Sequence, residues 1–292
     1  GVLKMIFDEV YTMNNGVKIP KLALGTWLIE NDSAKDAVKN AIEIGYRHID
    51  TAQAYGNEQG VGEGVRASGI SREEIFVTSK VAAENKSYRA AADSIDETLK
   101  KTGFDYLDMM LIHSPQPWAE VNQSDNRYCE ENKEVWRAME DAYKAGKVRA
   151  IGISNFLEDD IKNITDGCSV RPAANQILAH ISNTPLALID YCKKENILTE
   201  AYSPVAHGEA LKNPLIAKIA AKYGVSAARL CIKYCLQLGM AALPKTKSAE
   251  HMRENAQLDF DISDDDMSLL KNAEHIRDYG DSSFFPVFGG TL

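Results

Sequence analysis

The sequence predicts a (β/α)8 barrel, also called a TIM barrel, with an N-terminal β-hairpin and a C-terminal lid segment. Short apolar runs alternate with amphipathic helical patterns eight times along the chain. Runs such as residues 108–112 lack the alternation of a half-exposed strand, which is typical of parallel strands buried on both faces. Asp50, Lys80 and His113 stand at the ends of three successive runs, and barrels carry their chemistry at the carboxyl ends of their strands.

The elements follow one another in a regular order. In the hairpin, Asn15-Gly16 predicts a two-residue turn with positive backbone angles. The strands are predicted at residues 22–27, 47–52, 75–80, 106–113, 148–155, 173–178, 197–203 and 241–246. The helices after them are predicted at residues 33–45, 58–69, 88–103, 133–146, 157–165, 185–196, 213–224 with 227–239, and 248–257. Ser33 is the expected cap of the first helix. The long loop 114–131 and the tail from about Ile276 lie outside the pattern and are expected to form lids.

Length and composition indicate one globular domain, residues 1–292, because barrels of this kind commonly run this long. The net charge of -9 argues against nucleic acid or an anionic membrane as a partner, since phosphate groups require a basic face. Five cysteines without CxxC spacing indicate a reducing compartment. With no leader and no apolar run of membrane length in the sequence, we expect a cytoplasmic protein that is a monomer or a weak oligomer.

Asp50, Tyr55, Lys80 and His113 suit the reduction of a carbonyl group. Such a reaction requires a hydride donor at the carbon and a proton donor at the oxygen. A tyrosine hydroxyl, with an ordinary pKa of about 10, is a weak acid unless a cation lies beside it. Lys80, held charged by Asp50, can be that cation, and His113 can bond the carbonyl oxygen. Each residue alone could instead be a helix cap, a packing residue or a solvated charge, but their shared position at one rim favours chemistry.

The chain resembles the aldo-keto reductase family from the hairpin to residue 257. The motifs LGTW, DTAQAYGNE, VTSK, LIHSP, GISNF, NQ, AYSP and PKT with a later EN occur in the family's order. The resemblance implies NAD(P)H-dependent reduction of aldehydes or ketones to alcohols, with a catalytic tetrad of Asp50, Tyr55, Lys80 and His113. In this tetrad Tyr55 is the general acid. The partner is then a small-molecule carbonyl substrate.

The same resemblance implies a cofactor site along the rim. Ser154, Asn155 and Gln176 would hold the nicotinamide carboxamide, and Tyr202 would stack on the ring. The remaining cofactor positions are Gly25, Thr26, Ser203, Lys245, Thr246, Lys247, His251, Glu254 and Asn255. Of these, Lys245, Thr246 and Lys247 precede the last barrel helix, where phosphate is expected.

Two departures from the family's pattern carry expectations of their own. His251 takes the place of the arginine that grips the 2′-phosphate of NADPH, and the arginine of this turn is displaced to Arg253, so we expect NADPH to be used with weaker discrimination against NADH. Ser114 takes the place of a tryptophan after the catalytic histidine, which predicts a wide substrate pocket. The other expected substrate-binding residues are Trp27, Trp118, Phe284 and Phe285.

Other interpretations concern the glycines at 60–64, His48 and the function as a whole. The glycines at 60, 62 and 64 have the wrong spacing for a dinucleotide loop and are expected to allow close helix packing. His48 should point into the barrel core, and without further ligands nearby no metal is expected. The alternatives for function are a cofactor-binding accessory subunit, since the family also resembles the β subunits of potassium channels, and an aldolase that uses Lys80 as a Schiff-base amine.

Overall fold

The structure is a computed structural model that describes residues 5–288. Eight parallel strands form one sheet in the order of the sequence. They are β3 (Leu24–Gly25), β4 (His48–Asp50), β5 (Phe76–Val81), β6 (Met109–Ile112), β7 (Ile151–Ser154), β8 (Ala174–Leu178), β9 (Leu198–Tyr202) and β10 (Ala241–Leu243). Backbone bonds from Ala23 to Ala242 (2.9 Å) and from Gly25 to Pro244 (3.0 Å) join the two ends of the sheet. The expected (β/α)8 barrel is therefore confirmed.

Ten α-helices are present between residues 5 and 288. They are α1 (Asn31–Ile44), α2 (Glu58–Ala67), α3 (Tyr88–Thr102), α4 (Cys129–Lys144), α5 (Glu158–Thr165), α6 (Leu186–Lys194), α7 (Pro214–Tyr223), α8 (Ala227–Gln237), α9 (Ala249–Asn255) and α10 (Asp264–Lys271). Helix α10 was not predicted from the sequence. Its first turn is acidic and is capped by Ser263. None of the helices in this part of the chain is long and apolar enough to cross a membrane.

An antiparallel hairpin of β1 (Val10–Thr12) and β2 (Lys18–Pro20) covers the amino ends of the barrel strands. Tyr11 donates to the carbonyl of Met240 (3.1 Å), one residue before β10, and Asn14 donates to the carbonyl of Pro172 (2.8 Å), just before β8. Because the hairpin covers this end of the barrel, the carboxyl ends of the strands form the open end, where barrels keep their sites.

Two local predictions were wrong. The hairpin loop has three residues, 14–16, closed by a bond from Met13 N to Val17 O, and within it only Gly16 has a positive φ (86°). Helix α1 begins at Asn31 with Glu30 in the capping position, so Ser33 lies inside its first turn. The Asn31 side chain accepts a bond from Gly60 N (2.9 Å), which ties the start of α1 to α2.

The glycines of α2 allow the close packing that the sequence predicted. A Cβ atom on Gly60 would lie 2.4 Å from the carbonyl oxygen of Asn31, and one on Gly64 would lie 2.6 Å from that of Lys35. On Gly62 it would lie 2.1 Å from the carbonyl oxygen of Thr102, at the end of α3. Helix α2 is therefore pressed between α1 and α3, and it holds the loop that carries Tyr55 in place.

Candidate active site

The four predicted catalytic residues lie together at the carboxyl end of the barrel. Lys80, fully buried on β5, places its Nζ atom 2.6 Å from Asp50 Oδ1 and 3.1 Å from the Tyr55 hydroxyl. The same ammonium donates to the carbonyl of Thr51 (3.0 Å), so all three of its protons have acceptors. The His113 ring meets the Tyr55 ring edge to face, with centroids 5.7 Å apart.

Tyr55 lies in a segment that is held on either side by the side-chain amides of Gln53 and Asn57. Gln53 accepts from Ala82 N (2.8 Å) and donates to Ser94 O (3.1 Å), which fastens the loop to the end of β5 and to α3. Asn57, fully buried, donates to the carbonyl groups of Thr26 and Ile29 (2.9 Å each). Neither Gln53 nor Asn57 was predicted as a site residue, although both lie in the motif around Tyr55.

Burial and the Asp50–Lys80 ion pair shift the pKa values of Lys80 and Tyr55 in opposite directions. Burial alone would lower the pKa of Lys80, but Asp50 and Tyr55 outweigh it and raise that pKa, so the lysine stays charged. Burial raises the pKa of Tyr55, while Lys80 opposes that increase. Lys80 therefore acts on Tyr55 in the expected direction, although the desolvation of the phenolate is the larger effect.

His113 is neutral in this setting. Burial, with Lys80 and Lys86 nearby, lowers the pKa of His113 well below its ordinary value. A neutral imidazole carries one N–H donor, and His113 Nδ1 has no partner among the described residues. The ring of Trp118 packs edge-on against His113, with centroids 4.9 Å apart, and fixes its orientation.

The residues expected to hold the nicotinamide lie next to the tetrad. Gln176 donates to Asp50 Oδ2 (2.8 Å), Ser154 donates to the Gln176 carbonyl (2.8 Å), and Asn155 donates to the His113 carbonyl (2.9 Å). Tyr202 donates to Asn155 Oδ1 (2.6 Å). These polar side chains therefore form one network that is continuous with the tetrad.

A cleft of about 450 Å³ leads from the tetrad to the last strand and helix α9. Its lining includes most of the predicted cofactor residues: Gly25, Thr26, Gln176, Tyr202, Ser203, Lys245, Thr246, His251, Glu254 and Asn255. Lys247 is not part of that lining, although it lies close enough to Lys245 to lower its pKa further, after the larger effect of burial. Arg253 borders a different hollow with Asn40 and Glu43, on another face of α9.

A smaller cavity of about 200 Å³ opens beside Tyr55 and His113. Of the predicted substrate-binding residues, it is lined by Trp27, Trp118 and Phe285. Ser114 does not line it, because it is fully buried and its Oγ accepts from Gln116 N (3.3 Å). Phe284 does not line it either, since its side chain is 53% exposed and stacks on Phe285 with centroids 4.2 Å apart.

The C-terminal segment covers one side of this cavity, as the lid prediction required. Phe285 and Phe288 pack on Trp27 with centroids 4.8 and 5.9 Å away. Ser282 bonds His207 Nδ1 (3.1 Å) and Tyr279 bonds His180 Nε2 (2.9 Å).

His48 lies in the barrel core away from the cleft, fully buried against Phe76. Within residues 5–288 no cluster of three potential metal ligands occurs.

Comparison with known proteins identifies the family. The aldo/keto reductase family model matches residues 21–275. Glyoxal reductase of Bacillus subtilis (strain 168) is 39% identical over 264 residues, which cover 90% of this chain and 91% of that protein. Morphine 6-dehydrogenase of Pseudomonas putida is 37% identical over 278 residues, with 90% of each protein covered.

Solved structures agree with this result. The crystal structure of an aldo/keto reductase from Brucella melitensis superimposes with a TM-score of 0.85 at 35% identity, covering 92% of this chain and 99% of that one. The aldose reductase from Schistosoma japonicum gives a TM-score of 0.84 at 33% identity, with 91% and 92% covered. The chain belongs to the aldo-keto reductase family and is an oxidoreductase that interconverts carbonyl and alcohol groups with a nicotinamide cofactor.

Proposed function

We propose that this protein reduces small aldehydes and ketones with NADPH, and that Tyr55 protonates the carbonyl oxygen. The observation that carries the proposal is the contact of Lys80 Nζ with Asp50 Oδ1 (2.6 Å) and with the Tyr55 hydroxyl (3.1 Å). A permanently charged lysine beside the hydroxyl stabilises the phenolate that is left after proton transfer. Asp50 keeps that lysine charged and pointed at Tyr55.

His113 orients the substrate in this proposal. A neutral imidazole donates one hydrogen bond to the carbonyl oxygen without competing with Tyr55 as an acid. Its low pKa and its edge contact with Trp118 both support this role. The bound cofactor supplies the hydride.

The charge state of Lys80 argues against a Schiff-base aldolase. A nucleophilic lysine must lose its proton, which requires a lowered pKa. Here Asp50 and Tyr55 raise the pKa of Lys80, and all three ammonium protons are already donated. Borohydride in the presence of an aldehyde should therefore not attach substrate to this lysine.

The residues present fit a nicotinamide cofactor in the larger cleft. Gln176 and Asn155 offer amide groups near the tetrad, and Tyr202 offers an aromatic face in the lining of the same cleft. Lys245 and Lys247 form no ion pair with any residue between 5 and 288, which suits them to bind phosphate. Glu254 and Asn255 remain our proposal for the adenine contacts.

NADPH is the proposed cofactor, and NADH is expected to be used as well. Lys245, Lys247 and Thr246 favour the 2′-phosphate, but His251 is a weaker partner than arginine, which is always charged and binds phosphate through a planar fork. The first turn of α9 adds little to phosphate binding, because the Ser248 hydroxyl already accepts the His251 N–H (3.2 Å). A relative in Saccharomyces cerevisiae, 34% identical over 284 residues, is named glycerol 2-dehydrogenase (NADP(+)), which supports the choice.

Small carbonyl compounds are the proposed substrates. Trp27, Trp118 and Phe285 leave only about 200 Å³ beside Tyr55 and His113, in walls that are mainly aromatic. Relatives named for glyoxal and for morphine act on molecules of very different size, so names alone do not select a substrate. We propose that Trp118 takes the place of the aromatic wall that Ser114 lacks.

The cysteines and the single sheet support a proposal for the state of the protein in the cell. All five cysteines lie within the described residues and are free thiols, which favours a reducing compartment such as the cytoplasm. The eight strands form one sheet around one site, so we propose a single domain over residues 1–292 and a monomer or weak oligomer.

One experiment tests the proposed function. Oxidation of NADPH and of NADH, followed by absorbance, is measured against a panel of small aldehydes, dicarbonyls and bulky ketones. We expect turnover of small aldehydes with both cofactors and a higher kcat/KM with NADPH. Binding of NADPH without turnover of any carbonyl compound would instead favour the accessory-subunit alternative.

A further inference from the structure

A second carboxyl group lies beneath the tetrad and has no part in the reaction as described. Glu200 on β9 pairs with Gln176 on β8 in the strand register, and its side chain is fully buried. Glu200 Oε1 lies 3.5 Å from Gln176 Nε2, at the outer limit of a hydrogen bond, and Oε2 has no partner among the described residues. No cation contacts it directly in that part of the chain.

Asp50 and Glu200 together determine which way the Gln176 amide faces. Asp50 is ion-paired with Lys80 and can only accept, so the Gln176 amino group must point at it, and the distance is 2.8 Å. The second proton of that amino group points toward Glu200. The side-chain oxygen of Gln176, Oε1, accepts no hydrogen bond from any residue between 5 and 288, and Gln176 lines the cofactor cleft.

We propose that Glu200 is a positioning residue that, as a neutral acid, holds Gln176 against Asp50 with its carbonyl oxygen toward the cleft, and that on losing its proton it makes the site favour the oxidised cofactor. This inference rests on the proposed function. Through Gln176, Glu200 acts on both Asp50 and the carboxamide contact without touching substrate.

The charges around Glu200 support both halves of the proposal. Burial, followed by the nearby charge of Asp50, raises the pKa of Glu200 to about 8. The charged groups that act on it are Asp50 of β4 and Lys80 of β5, while its register partner on β10, Ala241, carries no charge. Asp50 and Lys80 cancel, so the loss of the Glu200 proton takes the group from a net charge of zero to minus one.

The experiment measures the affinities of the apoprotein for NADP⁺ and NADPH by quenching of tryptophan fluorescence as the pH is raised through 8. Both cofactors carry the same phosphates, so any titration of the phosphates cancels in the ratio of the two dissociation constants. Only the nicotinamide ring differs, and it is cationic in NADP⁺. We expect the ratio to shift toward NADP⁺ by on the order of three- to tenfold in the parent and to stay flat in Glu200→Gln.

Glu58→Gln is the matched control. Glu58 is also buried and also has a raised pKa, but it bonds Ser79 (2.7 Å) and not Gln176. This variant should keep the parent's dependence on pH. Infrared difference spectra of the apoprotein give a second readout, in which a protonated carboxyl band should disappear near pH 8 in the parent and in Glu58→Gln and be absent from Glu200→Gln.

A flat ratio in the parent, or a shift that persists in Glu200→Gln, would overturn the proposal. If Glu200→Gln does not fold, the parent's ratio alone decides. If neither cofactor binds, the proposed function fails, and the infrared titration still shows whether Glu200 is a neutral acid that ionises near pH 8.

Discussion

The tetrad residues owe their protonation states to burial as much as to one another. Lys80 is fully enclosed, and the loss of Asp50 would leave its charge buried without an opposite charge, at a cost of about 3–5 kcal/mol. Burial in the same region raises the pKa of Tyr55 and lowers that of His113. The site therefore contains one acid that releases its proton only when a charge develops beside it, and one neutral donor.

Cofactor preference is tested at position 251. His251→Arg should raise the preference for NADPH over NADH about 10- to 100-fold, because a charge-assisted bond to phosphate contributes about 1.5–3 kcal/mol. The measurement is kcat/KM for both cofactors. Arg253→Ala is the control, since Arg253 borders another hollow and should leave the ratio as it is. An unchanged ratio in His251→Arg would mean that this position does not contact the phosphate.

Substrate size is tested at position 118. Trp118 packs on His113 and its backbone N–H is held by Glu84 Oε2 (3.0 Å), so the indole is a fixed wall. Trp118→Ala should raise kcat/KM for bulky ketones relative to small aldehydes by at least about tenfold. Phe284→Ala, which alters an exposed ring outside the cavity, should not change that ratio. Equal effects of Trp118→Ala on both substrate classes would contradict the assignment.

At the scale of elements, the hairpin and helix α2 place the site. The hairpin covers the amino end of the barrel, and Met13 and Ile19 pack there with Phe76 and Met109. Helix α2 packs against α1 and α3 through glycines and holds the Tyr55 loop through Asn57, which precedes its first residue. The polar contacts of the Tyr55 loop therefore depend on the close packing of α2 against α1 and α3.

Gly62→Ala tests this packing. Its new methyl group would lie 2.1 Å from a backbone carbonyl oxygen that cannot move aside alone, so helix α2 must shift. Overpacking of this kind costs about 1–3 kcal/mol of unfolding free energy. Denaturant unfolding measures the loss, with Glu63→Ala on the half-exposed face of the same helix as control. Stability equal to the parent's would show that the α2–α3 contact is looser than described.

The sequence predicted the elements well wherever a long, regular pattern was present. The eight strands and the helices between them follow from buried apolar runs and amphipathic spacing, whereas α10, which comes after the last strand–helix pair and lies outside the repeat, was missed. Local capping chemistry did not locate the start of α1, because the Asn31 side chain bonds Gly60 in another helix. In the same way, nothing near Ser114 or Phe284 reveals that one is buried and the other exposed.

The candidate site shows the same limit. The tetrad and most cofactor residues were predicted from motifs, because their order along the chain matches the order of the strands. Glu200 was missed, since an acid within a strand has no meaning until the barrel brings it beneath Asp50 and Gln176. The effect of burial on the pKa of Tyr55 could not be predicted, because burial is a property of the folded chain.

For the whole molecule, the proposed phosphate site is a local group of basic residues in a chain of negative net charge. The chain carries a net charge of -9, yet Lys245 and His251 line one end of the cleft, and Lys247 lies near Lys245. In the proposed function, phosphate recognition depends on this local group.

Ligand binding should therefore stabilise the entire fold. At a free NADPH concentration 100 times its dissociation constant, the gain is about 2.7 kcal/mol, which raises the Tm of a chain this long by roughly 4–5 °C. Thermal unfolding with NADPH and with NADH at equal free concentration measures it, and NADH should raise the Tm less. If neither cofactor changes the Tm, the cleft does not bind a nicotinamide cofactor with useful affinity.

The proposed function depends on Tyr55 as the acid of a cofactor-dependent carbonyl reduction. The most direct measurement compares the parent with Tyr55→Phe for the rate of NADPH oxidation by a small aldehyde and for NADPH affinity by fluorescence. The phenyl ring keeps the packing against His113 and loses only the hydroxyl. We predict a rate about 10²–10⁴ times lower with the affinity nearly unchanged. Near-parental turnover in Tyr55→Phe would contradict the account.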